Sequence, residues 1–282
     1  MRLGMLSGEL RRSTPAELFE AIGALGFSEV QLELGSVLPG PLPEQIEQGT
    51  LEEIYAQAQR HGVEIAAVGG TYNMIHPDAQ MRAAGLKRFE TIAAACAPLH
   101  CRFVTLCTGT RHPENMWRWH DDNLKSDAWD DLLVSMEQAL AVAERYDLLL
   151  GIETEASNVV NSPEKARKLI DTFGSRRLRI IMDVANLFQR GEARPENVRP
   201  IMDNAFGLLG PHIEMAHGKD IQAGDGLAFT HAGHGIIDFG YFCSKLRECG
   251  YTGGMLVHGI KDERYFPEVV TFMRGVLAQS RV

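Results

Sequence analysis

The sequence has no apolar run approaching the length of a membrane span, and its opening stretch, Met1-Arg-Leu-Gly-Met-Leu-Ser-Gly-Glu9, has no apolar segment of the kind that leads a secreted chain. Dense basic stretches are also missing. The adjacent arginine pairs are Arg11-Arg12 and Arg176-Arg177, and the net charge is -9 with a pI near 5.6. A duplex nucleic-acid binder shows a basic face, so DNA, RNA and acidic membranes are not the expected partners. Cysteine is scarce. The five residues Cys96, Cys101, Cys107, Cys243 and Cys249 form no C-x-x-C pair and several sit inside apolar segments, which reads as reduced core thiols of a cytoplasmic protein. No low-complexity linker divides the chain, and a single domain over residues 1–282 is expected.

What is present is an alternation of short apolar runs and longer amphipathic ones. The short runs are Leu3–Leu6, Glu29–Leu32, Val63–Val68, Phe103–Leu106, Leu148–Ile152, Leu178–Met182, Ile213–Ala216 and Met255–Val257. Each precedes a helical pattern, as in parallel βα units. Thr14-Pro-Ala-Glu17 and Thr50-Leu-Glu-Glu53 read as capping boxes, and Ser162-Pro-Glu164 as a capped helix start. After Asp127, Leu132, Leu133, Met136, Leu140 and Val142 form an apolar stripe. Roughly eight such units predict an α/β fold, a single (β/α)8 barrel. The competing doubly wound sheet lacks its Gly-rich fingerprint, because the first strand is followed by Ser7-Gly-Glu-Leu10.

In a barrel the C-terminal strand ends face the active-site mouth. The fifth to eighth strands end in Glu153, Asp183, His217 and His258. Two carboxylates forced into one small mouth repel each other and lose hydration, and a divalent cation offsets both charges. The bland alternative is a set of strand-end ion pairs with Lys219 or Arg179. The expected ligands are Glu153, Asp183, His217 and His258, and manganese, zinc, cobalt, iron and magnesium all suit a mixed oxygen and nitrogen set. Glu155 shares the face of Glu153. Lys219 and Asp220 follow the histidine, Lys219 as a group to polarise a substrate oxygen and Asp220 to orient a ligand. His76 follows the third strand. The segment Thr108–Asp127, with Arg111, Trp117, Trp119 and His120, is long for a barrel loop and reads as a lid. Gly35–Pro43 reads as a second mouth or surface loop, and Gly233-His-Gly235 as a tight turn before a helix.

The segments Gly151-Ile-Glu153, Met182-Asp-Val-Ala-Asn186, His217-Gly-Lys-Asp220 and Gly233-His-Gly-Ile-Ile-Asp238 resemble the xylose-isomerase-like TIM barrels, specifically the sugar phosphate isomerase/epimerase group, over nearly the whole chain. The resemblance implies a metal held by Glu153, Asp183 and His217 with a fourth ligand from the last strand. It also implies a sugar, sugar phosphate or polyol ketone as substrate. In that family the last strand usually ends in glutamate, which moves protons together with the glutamate of the fifth strand; here the residue is His258, and a branch of the family carries His-Gly at this point. The apurinic endonuclease branch uses an Asp-x-x-His for extra zinc, where this chain has Asp183-Val-Ala-Asn186. The leading expectation is a metal-dependent isomerase or epimerase, with Glu153, helped by His258 and Lys219, doing the chemistry, and His76, Arg111, Trp117 and Glu155 binding substrate. A metal-dependent dehydratase of an inosose-like ketone and an inert ligand-binding barrel are the alternatives. Beyond the small substrate, the expected association is with further copies of the same chain.

Overall fold

The computed structural model describes residues 1–40 and 42–279; Pro41, within the proline-rich Gly35–Pro43 loop, lies outside them. Eight parallel strands close on themselves: β1 (Leu3–Leu6), β2 (Glu29–Leu32), β3 (Glu64–Gly69), β4 (Phe103–Cys107), β5 (Leu149–Glu153), β6 (Leu178–Asp183), β7 (Ile213–Ile221) and, after a short hairpin strand β8 (Phe229–His231), β9 (Met255–Val257). Closure is made where β9 pairs with both β7 and β1, with His217 opposite Leu256 and Leu3 opposite Met255. Helices α1 (Pro15–Leu25), α2 (Gln48–Arg60), α3 (Ala79–Cys96), α4 (Ser126–Arg145), α5 (Pro163–Phe173), α6 (Val198–Leu209), α7 (Phe239–Glu248) and α8 (Phe266–Gln279) surround it. Among the described residues no helix is long and apolar enough to cross a membrane. Cys96, Cys101 and Cys107 are buried free thiols.

Local signals explain most boundaries. Thr14 accepts a hydrogen bond from Glu17 N at 3.2 Å, while the Glu17 carboxylate returns to Ser13 N at 3.1 Å, one residue before the cap. Ser162 caps α5 through Lys165 N. The expected box at Thr50 is corrected: Thr50 N already donates to Glu47 O at 3.0 Å, so α2 starts at Gln48 and Thr50 sits in its first turn. Along α4, Leu132, Met136, Ala139 and Ala143 are buried at helical spacing, which lays one face on the barrel. The seventh strand runs past its expected end to Ile221, because its last residues, Lys219 to Ile221, pair antiparallel with β8. His217 is therefore mid-strand.

Inside the barrel Ala67, Phe103, Ile181, Met215 and Leu256 pack as one apolar layer, with Leu6 and Leu149 against it. Strand alternation then lifts the residues two positions further on, Asp183, His217 and His258, above this layer toward the mouth. Gly151 lies in the same layer between Leu149 and Glu153. A Cβ there would stand 2.3 Å from Phe103 Cζ and 2.8 Å from Ile181 Cγ1, so the glycine is what lets the Phe103 ring fill the barrel. Gly151→Ala is accordingly expected to destabilise the protein by about 1–3 kcal/mol, the usual cost of overpacking. Urea unfolding would show a lower midpoint at unchanged slope, partly restored by adding Phe103→Leu; an unchanged midpoint would contradict this packing.

Candidate metal centre

Glu153 and Asp183 are the last residues of β5 and β6, His217 faces inward from β7, and His258 directly follows β9. One donor atom from each lies within 4.8 Å of the donors of the other three. Asp183 is fully buried and His217 is 1% exposed. His258 Nε2 stands 2.8 Å from Asp183 Oδ2, and His217 Nδ1 3.6 Å from Glu153 Oε1. The two imidazole rings meet edge to face with centroids 4.9 Å apart. All four residues expected at the strand ends thus converge.

The orientation of His217 follows from its neighbours. Gln31 Nε2 donates to Glu33 Oε1 at 2.7 Å, which turns the Gln31 carbonyl oxygen toward His217 Nε2, 3.0 Å away. An amide oxygen only accepts, so Nε2 carries the proton and donates. The other nitrogen, Nδ1, is buried, faces the carboxylates and has no hydrogen-bond partner. A buried lone pair without a partner is costly in a finished apolar or polar core, and it is what a metal ligand presents.

Lys219 is also in the cluster. Its ammonium lies 3.2 Å from Asp183 Oδ2, donates to Asn186 Oδ1 at 2.5 Å and sits 4.3 Å over the Phe229 ring. Asn186 Nδ2 in turn donates to Glu153 Oε1 at 2.6 Å. Burial pushes the Asp183 carboxyl up, but the Lys219 ammonium and the His258 N–H outweigh it and hold the group well below the usual carboxylate range. Burial likewise presses Lys219 to lose its proton, and Asp183, Glu155 and Glu153 more than offset this and keep it charged. The bland ion-pair alternative is therefore realised for Lys219 with Asp183, whereas Arg179 pairs with Glu214 at 3.4 Å.

One ammonium does not balance the mouth. A cavity of about 350 Å³ is lined by Glu9, Glu33, Glu153 and Glu155 along with Lys219 and His258. Burial raises the pKa of Glu33, and raises Glu9 and Glu155 to about 7. Glu9 accepts from the backbone N–H groups of Gly259 and Ile260 and so fixes the turn that carries His258. Glu9, Gln31 and Glu33 went unassigned in the sequence reading. The signal for two of them was available: Glu29, Gln31 and Glu33 alternate at the period of a strand, so a strand with an apolar outer face has a polar inner one.

The remaining expected residues divide. Glu155 and Trp117 line both the inner cavity and an outer one of about 720 Å³ that also meets Arg118, Trp119 and Arg190. Trp117, 55% exposed, places the long fourth loop on the mouth side of the barrel. Arg111 and His76 do not line either cavity. Arg111 is buried in an ion pair with Asp131 at 2.7 Å and donates to Ile75 O. His76 lies against Pro113 O at 2.9 Å and accepts from Asp78 N. Both tie down the base of the loop, Arg111 by joining it to Asp131 in α4 and to Ile75 O, and His76 by reaching across to Pro113 O. Asp220 orients no ligand of the cluster; its carboxylate accepts from the N–H groups of Ile221, Gly233, Gly235 and Ile237 at 2.9–3.1 Å and folds the Gly233–Gly235 turn.

The assignment of the His217 proton is directly measurable. In metal-free protein labelled with 15N-histidine, His217 is expected to show its proton on Nε2, with a coupling pattern that is lost in Gln31→Leu. A proton on Nδ1 would contradict the orientation described.

Set beside known proteins, the geometry has clear company. The profile of the family described as "Xylose isomerase-like TIM barrel" matches residues 19–276. Among solved structures, the chain is similar to 3-keto-D-glucoside 4-epimerase from E. coli (19% identity over 98% of this chain and 99% of that one, TM-score 0.74). It is also similar to a D-tagatose 3-epimerase-like protein (17% identity, 99% and 98% covered, TM-score 0.77) and to the IOLI protein solved with a zinc atom (16% identity, 99% and 98% covered, TM-score 0.73). No curated protein matches the sequence. At such identities the solved structures establish the shared fold, while the profile spans most of the chain: this protein belongs to the xylose isomerase-like TIM barrel family.

Proposed function

We propose that this protein is a metal-dependent isomerase or epimerase of a small sugar, sugar phosphate or related polyol ketone, with Glu153, Asp183, His217 and His258 holding the divalent ion. The observation that carries the proposal is the buried, unpartnered Nδ1 of His217, set beside two carboxylates and a second imidazole. The donor set fits a divalent ion: two negative charges neutralise it, and two nitrogens shift preference from magnesium toward zinc, cobalt or iron. Bound there, the ion would act as a Lewis acid on the carbonyl of a substrate gripped through two neighbouring oxygens.

The chain's own groups supply the rest. Glu153, 12% exposed at its side chain, faces the cavity and is the group to take a proton from the carbon next to the carbonyl. The electron pair of that C–H bond moves into the C–C bond and onto the carbonyl oxygen; a solvent-exchanged proton delivered to the opposite face, with Lys219 as its donor in the cavity, inverts the centre, and the proton taken by Glu153 passes to solvent. Lys219 holds Asp183 ionised and offers its N–H to a substrate oxygen. Asn186 orients Glu153. Asp183, buried and held by Ala185 N at 3.0 Å, stays fixed as a ligand. Trp117 and Phe229 present apolar faces suited to the C–H face of a sugar ring, and Arg118 and Arg190 in the outer cavity suit a substrate that extends beyond one ring or carries an anionic group. The likeness to a 3-keto-D-glucoside 4-epimerase and to a D-tagatose 3-epimerase-like protein supports the same chemistry.

The test is turnover of a panel of ketoses and keto-glycosides in deuterated water, with manganese, cobalt and zinc each supplied and metal content measured. Inversion next to the carbonyl with deuterium taken up at the inverted carbon is expected, and Glu153→Gln should lower the rate by about 100-fold or more. Product formed without solvent deuterium would reject Glu153 as the proton carrier, and no turnover of any panel member with any metal would reject the proposed activity.

A further inference from the structure

Outside the mouth cavities, a second group of donors converges. His231 ends the hairpin strand β8, His234 follows in the turn toward α7, and Glu268 stands in the first turn of α8. One donor atom from each lies within 4.8 Å of the other two. His231 is 6% exposed, and its buried Nε2 has no hydrogen-bond partner. His234 Nε2 and Glu268 Oε1 are 2.6 Å apart, and both residues are open to solvent. The two imidazole rings lie with centroids 4.2 Å apart, and Tyr265 stacks on His231 at 4.8 Å.

The backbone holds this arrangement before any ligand arrives. His234 N donates to His231 O at 3.2 Å, closing the turn. Gly233 takes φ +92°, a left-handed conformation that side-chain-bearing residues rarely adopt. The Asp220 carboxylate clamps Gly233 N and Gly235 N from beneath, and a Cβ on Gly235 would stand 2.2 Å from its Oδ1. The turn that brings the two imidazoles side by side is thus fixed by a buried group, and the ring of His231 by the stacked tyrosine.

We propose that His231, His234 and Glu268 form a second divalent-metal site, for a zinc-class ion, which staples the β8–α7 turn to the start of α8. Two imidazoles and one carboxylate are a familiar zinc donor set, in which three protein ligands leave a fourth position for water. The exposure of His234 and Glu268 puts that position in contact with solvent. Two nitrogen donors favour zinc, cobalt, nickel or copper and disfavour magnesium and calcium. The ion would replace the direct contact between His234 and Glu268 and would give His231 Nε2 its missing partner. Nothing in this assignment depends on the mouth cluster or on the proposed activity.

The experiment is a zinc titration of the metal-stripped full chain by calorimetry, with the bound metal counted by native mass spectrometry. It compares the natural protein with His234→Ala and Glu268→Gln, both at exposed positions. The natural protein is expected to hold one zinc ion per chain more than His234→Ala, a difference that stands whether or not the mouth also takes zinc. Glu268→Gln should weaken the same ion at least 10-fold, and magnesium in place of zinc should show no difference among the three. Metal-free samples with matching circular dichroism and melting confirm that both variants fold. Equal zinc counts and affinities in the natural protein and His234→Ala would overturn the site.

Discussion

The mouth of this barrel is organised around the burial of like charge. Glu153 and Asp183 end adjacent strands of a closed sheet, so neither carboxylate can move away from the other without breaking strand register. Glu9, Glu33 and Glu155 crowd the same small cavity, and Lys219 is the one ammonium lining it among the described residues. Burying ionised groups is costly unless they are paired and hydrogen-bonded. Its effects are visible across the site: Asp183 is held ionised by Lys219 and His258, and the peripheral glutamates are pushed toward their neutral forms. The divalent ion proposed for this site would relieve the same strain more completely than a single lysine does.

The supporting groups serve that arrangement through orientation. The chain Glu33–Gln31–His217 fixes which imidazole nitrogen faces the carboxylates, Asn186 joins Lys219 to Glu153, and Glu9 ties down the turn after the last strand. These are the kinds of contacts that set ligand geometry in metal enzymes. The Asp220 carboxylate does a similar task one layer out, gathering four backbone N–H groups and shaping the turn that carries His231 and His234. Both donor clusters therefore lean on the same strand, β7, whose antiparallel extension with β8 separates them.

Much of this was legible in the sequence, and for physical reasons. Strand-helix alternation shows the βα repeat, and side-chain alternation along each strand shows which end residues share the mouth, so Glu153, Asp183, His217 and His258 could be named from position alone. Less was legible where a side chain's role depends on a partner distant in sequence. Arg111 sits in a loop that reads as a substrate clamp, yet it is paired with Asp131 in α4, a partner distant in sequence, and lines neither mouth cavity. Asp220 beside the cluster reads as a ligand support until the turn 13–17 residues later closes on it. The spacing of His231, His234 and Glu268 carries no recognisable pattern, because α8 reaches the turn only through the barrel's closure.

Whether Glu153, Asp183, His217 and His258 hold one divalent ion is tested most directly by anomalous diffraction from crystals loaded with manganese or cobalt. One peak is expected about 2.0–2.3 Å from Glu153, Asp183, His217 Nδ1 and His258 Nε2, with Lys219 displaced from Asp183. A map in which Lys219 stays on Asp183, His258 stays hydrogen-bonded to it and no peak lies among the four donors would contradict the account.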